Sequence, residues 1–110
     1  MLEKMSREEK LQVGNVTLDV NSARLTGPNG TYHLTPMESR LLRVFMLNSG
    51  RVIPRSSLMK AVWDTDWFDD CRTLEVHVCW LRKKMGDDLR RPRYLRTVRG
   101  VGYKFGMEPV

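Results

Sequence analysis

Between residues 72 and 85 the chain reads RTLEVHVCWLRKKM, and the groups able to do chemistry there are cations interleaved with apolar and aromatic side chains. At 100° per residue, Leu74, Val78, Leu81 and Met85 fall in one narrow stripe, the spacing of a core-facing helix. Opposite them lie Arg72, Thr73, Val76, Cys79, Trp80, Lys83 and Lys84. A solvated helix face carries Glu, Lys, Gln and Arg at such positions, whereas this one joins positive charge to groups suited to apolar contact. His77 has no carboxylate or nucleophile placed beside it by any motif. With no clustered carboxylates for two metals either, an enzyme such as a nuclease is not expected.

The charge balance sharpens the point. Of a net charge of +6 in 110 residues, the part from 72 to 104 holds ten Lys or Arg against three acids, a balance of +7, and the rest holds nine against ten. Basic character confined to one third of a chain attracts a polyanion, most commonly nucleic acid. Composition, at 41% hydrophobic and 29% charged, is that of one globular domain with a modest core. No apolar run reaches the ~20 residues of a membrane span, and MLEKMSREEK offers no signal peptide, so a cytoplasmic protein without membrane contact is expected. Cys71 and Cys79, about 12 Å apart along one helix, are read as free thiols of a reducing compartment. With His33 and His77 they give no zinc spacing, and no metal or cofactor is expected.

The elements that position segment 72–85 follow from periodicity. Residues 1–10 are polar and patternless, a linker or tail in which nothing should pack. From Leu11, LQV, VTLDV, ARLT and TYHL are short strand-like runs separated by turn residues, with Asn29-Gly30 the strongest hairpin signal. They predict a four-stranded antiparallel sheet. In LTPMESRLLRVFMLNSG, Thr35 caps, Pro36 suits the first helical position and Glu38 completes a capping box; Leu41, Leu42, Phe45 and Met46 form the buried stripe and Gly50 ends it. A second helix spans Arg55 to Trp63 with Leu58, Met59 and Val62 apolar. DTDWFDD breaks the pattern, with Asp70 a cap for the third helix. After a polar loop, GDDLRRPR, two strand runs from Tyr94 to Arg99 and Tyr103 to Phe105 are joined through Gly100-Val101-Gly102. The reading is α+β: a winged helix-turn-helix with an N-terminal four-stranded antiparallel sheet, three helices and a C-terminal β-hairpin wing, over residues 11–106, with 107–110 a tail.

LTPMESRLLRVFMLNSGRVIPRSSLMKAVW, then RTLEVHVCWLRKKMG, then LRTVRGVGYKF resemble the effector domain of the OmpR/PhoB family of response regulators. The resemblance covers essentially Leu11 to Phe105. It implies a domain that binds double-stranded promoter DNA and regulates transcription, with the third helix in the major groove and the wing at the minor groove. By the same resemblance Arg72, Thr73, His77 and Arg82 contact phosphates, as does the indole N–H of Trp63. Val76, Cys79, Trp80 and Lys83 face base edges, and Arg99 reaches the minor groove, flanked by Thr97 and by the Tyr103 hydroxyl at the backbone. This chain departs from the family where Cys79 and Trp80 replace polar or basic residues, and where Pro54 stands in place of a capping serine.

On that reading the mixed face has a purpose. Cations neutralise phosphate and reach guanine acceptors, while apolar groups suit the thymine methyl of the major groove. Val76, Cys79 and Trp80 then favour thymine-containing steps and Lys83 a guanine. The alternative for Trp80 is packing against the wing or the neck of the third helix, partly covered by protein. Arg99 is otherwise a solvated wing cation; the wing glycines and the resemblance favour insertion where the minor groove is narrow. In the family the connection between the second and third helices meets RNA polymerase, which assigns Asp64, Asp66, Trp67 and Asp69 to that contact; alternatively Trp67 and Phe68 anchor the loop to the core. A rival reading of the basic face is a protein-interaction module with an acidic partner. The resemblance also implies tandem dimers on direct repeats, and a receiver domain and sensor kinase in the parent protein, for which a membrane-anchored activator is the alternative.

Overall fold

The computed structural model describes residues 9–64, 72–88 and 90–106. The first four strands, β1 (Lys10–Val13), β2 (Val16–Asp19), β3 (Arg24–Gly27) and β4 (Gly30–His33), form an antiparallel meander in sequence order. Period-two alternation sends Val16, Leu18 and Leu25 into the core. The opposite face carries polar residues in register, Asp19 opposite both Lys10 and Arg24. Packing begins earlier than the expected tail boundary. The Glu9 carbonyl accepts the Val20 N–H at 2.8 Å, and its carboxylate lies 3.3 Å from Arg43.

The β3–β4 turn is shifted by one residue from expectation. Gly27 pairs with Gly30, leaving Pro28-Asn29 as the loop. Proline fixes φ near −65° at the first turn position, which excludes the left-handed pair that Asn29-Gly30 suggested; Gly30 instead takes its positive φ of 126° at the start of β4.

Helix α1 (Pro36–Leu47) opens with the expected capping box: Thr35 Oγ1 accepts the Glu38 N–H at 3.2 Å, and Glu38 Oε1 accepts the Thr35 N–H at 2.9 Å. It ends at Asn48, whose N–H donates to Val44 O, two residues before Gly50. Helix α2 (Arg55–Trp63) has the expected bounds and buries Leu58, Met59 and Val62. Pro54 supplies no side-chain cap; the Arg55 N–H donates instead to the wing carbonyl of Val101 at 3.1 Å. Helix α3 (Arg72–Met85) buries Leu74, Val78, Leu81 and Met85 almost completely.

The wing strands β6 (Leu95–Val98) and β7 (Gly102–Phe105) do not stand alone. Strand β5 (Val52–Pro54), between α1 and α2, pairs with β7, giving a three-stranded sheet in the order β5-β7-β6. Three residues ending in proline carry too little alternation to read as a strand. Phe45 of α1 joins the two halves of the core, with the rings of Tyr103 and Phe105 each 6.3 Å away. Among the described residues no helix is long and apolar enough to cross a membrane.

Candidate nucleic-acid interface

With its apolar stripe fixed in the core, α3 turns a mixed face outward. Val76 is 41% exposed and Trp80 44%, with Thr73 and Lys83 also exposed and His77 and Cys79 half-buried. Large apolar groups in water are costly unless a partner covers them, and here two of them share a helix face with a lysine. Arg72 opens the helix, so its position is at the N-terminal edge of this face. Cys79 is a free thiol. Trp80's ring contact is with His77, at 5.2 Å between centroids.

Lys84 does not belong to the outward set. Its Nζ lies 2.8 Å from Glu38 Oε1 and 3.5 Å from the His33 carbonyl, so it clamps the end of α3 to the start of α1. Burial of Glu38 would raise its pKa, but the Lys84 hydrogen bond, the Thr35 N–H and the lysine charge together hold it below the ordinary 4.5.

Arg82 serves the scaffold. Its Nε donates to Leu95 O and its Nη2 to Thr97 Oγ1, each at 2.9 Å, which fastens β6 alongside α3. Arg82, expected at a phosphate, and Thr97, expected to flank Arg99, are therefore bonded to each other. The wing turn between β6 and β7 is closed by the Val101 N–H on Val98 O at 3.0 Å, with Gly100 at φ 78°. This turn leaves Arg99 exposed and Val101 45% exposed.

Tyr103 requires a correction. Expected to offer its hydroxyl at the surface of the wing, it is 3% exposed, with its ring edge-on to Phe45 and the Arg55 guanidinium 5.6 Å above it. Its position pairs with Ile53 on β5, which places it inside the three-stranded sheet. Burial raises its pKa above 10, with the positive charge of Arg55 pulling the other way. Trp63 is half-buried against the core and meets His77 edge-on at 5.2 Å. Asp64 terminates α2 in a left-handed conformation, 3.8 Å from Lys60, and is exposed. Asp66, Trp67, Phe68, Asp69, Asp70 and Cys71 lie outside the described residues.

Two structural residues escaped the sequence reading. Asp87, placed by its composition in a polar loop, is buried, and its carboxylate accepts N–H groups from Arg93, Tyr94 and Leu95 at 2.7 to 3.3 Å. It folds the loop between α3 and β6 back on itself and so sets where the wing begins. Arg55, read only as the start of a helix, covers the ring of Tyr103. A buried carboxylate in a loop has no period to reveal it.

Residues 29–105 match the family described as transcriptional regulatory protein, C terminal. The chain belongs to this family. As a transcriptional regulatory C-terminal domain it is of the OmpR/PhoB response-regulator type, a class of transcription regulators and not of enzymes. It is 43% identical over 94 residues to the sensory transduction protein RegX3 of Mycobacterium tuberculosis, covering 86% of this chain and 41% of that protein. The chain thus spans about two fifths of the length of such relatives. Its fold superposes with a TM-score of 0.79 on the RstA DNA-binding domain of Klebsiella pneumoniae in complex with the RstA box, at 23% identity over 89% of this chain and 97% of that one. The response regulator AdeR DNA-binding domain, in complex with an intercistronic region, gives 0.68 at 26% identity, covering 86% and 97%.

Proposed function

We propose that this domain binds double-stranded promoter DNA selectively by sequence and thereby regulates transcription. The observation that carries the reading is the outward face of α3: Val76 and Trp80, both exposed, beside Lys83, on a helix whose other side is locked in the core. Such a helix enters a major groove with its cations at phosphates and guanine acceptors and its apolar groups at base-edge methyls. The wing, tied to α3 through Arg82, carries Arg99 to the adjacent minor groove. The AdeR DNA-binding domain, which shares the fold and is in complex with an intercistronic region, supports DNA binding by this one.

Within that reading, Arg72, Thr73 and the Trp63 indole serve at phosphates, and Cys79 completes the base-facing set. A domain of this size reads a short half-site, so useful affinity favours two copies in tandem on direct repeats. The parent protein places the domain after a receiver answered by a sensor kinase, and Asp64, Asp66, Trp67 and Asp69 present acidic and aromatic groups to RNA polymerase.

Selection of bound duplexes from a random pool tests the function. The expected outcome is a short enriched motif, repeated in one orientation, with affinity falling steeply as salt rises. Recovery of no motif, with binding that ignores base sequence, contradicts it.

A further inference from the structure

His77 sits between two indoles. Its ring centroid is 5.2 Å from Trp63, edge-on at 80°, and 5.2 Å from Trp80, tilted at 54°. Trp63 is half-buried against the core at the end of α2 and Trp80 is 44% exposed on α3, so His77 links a partly buried indole to an exposed one. The imidazole itself is pinned, because its Nδ1 lies 2.7 Å from the carbonyl oxygen of Thr73. A carbonyl only accepts, so Nδ1 carries the proton and the ring is held to its own helix one turn back.

An exposed indole that must be ordered on binding loses side-chain rotamer freedom at the expense of affinity, and contacts that fix it beforehand reduce that loss. Trp80 has such a contact from His77, which is in turn buttressed by Trp63. We propose that His77 is a positioning residue: it holds the Trp80 indole in the orientation that covers the C5 methyl of a thymine, and this, in place of a phosphate contact, is its main contribution to recognition. The proposal rests on the DNA-binding reading and names the base-edge group that the site takes. The contact also gives the aromatic at position 80, where the resemblance implies a polar or basic residue, a neighbour that orders it.

The test compares a duplex obtained by selection with the same duplex in which uracil replaces thymine in the motif, a change that removes only the methyl. The wild-type domain is expected to prefer thymine by about fourfold per methyl covered. His77→Ala and His77→Gln are expected to bring that ratio close to one while leaving the slope of affinity against salt unchanged. His77→Phe keeps a ring between the indoles and is expected to keep the preference. Two further variants keep the comparison meaningful if the alanine variant folds poorly: the glutamine and phenylalanine substitutions differ in the ring and both remove the imidazole. Equal loss on thymine and uracil duplexes in all three variants identifies a backbone contact and overturns the proposal. So does a wild-type domain that binds but does not distinguish the two. A wild-type domain that binds no duplex removes the underlying DNA-binding reading as well, whereas binding with the preference retained in His77→Ala removes only the role of His77.

Discussion

The ammonium of Lys84 lies 2.8 Å from Glu38 Oε1, and that carboxylate is 1% exposed while also accepting the Thr35 N–H that closes the α1 capping box. One carboxylate therefore caps α1 and fixes the C-terminal turn of α3. The clamp holds the helix at the end remote from its first turn, so the angle at which the outward face is presented depends on it.

Because the folded Glu38 carboxyl titrates below its ordinary 4.5, its contribution to stability is complete above that value and is lost as pH falls through the folded pKa. Thermal melts from pH 6 to 3 are expected to show a fall in Tm confined to the acid end, and Glu38→Gln should flatten it. Lys84→Met leaves a buried carboxylate without its cation and should cost about 2 to 3 kcal/mol, since the lysine is partly exposed. The double variant is expected to recover part of that loss, because removing both charges removes the desolvation penalty as well.

Gly102 and Gly100 stand two residues apart in the wing and should respond to alanine to different extents and for different reasons. A Cβ on Gly102 collides with the carbonyl of Ile53 and comes within 2.9 Å of the Pro54 Cα, in the β5–β7 ladder. Gly102→Ala is expected to separate β5 from β7 and cost about 3 kcal/mol or more, measured by denaturant unfolding. At Gly100 a Cβ meets nothing, and only its φ of 78° resists substitution, so Gly100→Ala should cost about 1 kcal/mol.

Arg99 and Arg82 separate a DNA contact from a scaffold bond. Arg99→Ala is expected to lower the slope of log affinity against log salt by about 0.9 with little change in Tm. Arg82→Ala removes the bonds to Leu95 O and Thr97 Oγ1 and should lower Tm by several degrees. Titrations at three salt concentrations together with thermal melts distinguish the two. An Arg82 variant as stable as wild type, with only a reduced salt slope, returns that residue to the phosphate set.

The helices and the core stripe of α3 were legible because a period of 3.6 over fourteen residues is a strong signal, and the capping box Thr35 to Glu38 marks its own position. Strand β5 was illegible for the opposite reason: three residues, one of them proline, are recognised as a strand only by their partner β7. Which cations face outward was also beyond the helical wheel. Lys83 and Lys84 are adjacent in sequence, and only the tertiary placement of Glu38 turns the second inward. Likewise the resemblance puts the Tyr103 hydroxyl at the DNA backbone, whereas its ring is buried edge-on against Phe45 and beneath Arg55.

Dimethyl sulfate footprinting on a selected duplex is the most direct measurement, because it methylates guanine N7 in the major groove and adenine N3 in the minor groove. The domain should protect N7 along a continuous half-turn and N3 at a flanking adenine, with Arg99→Ala restoring only the second. Guanines that stay fully reactive throughout the bound site would mean that α3 does not lie in the groove.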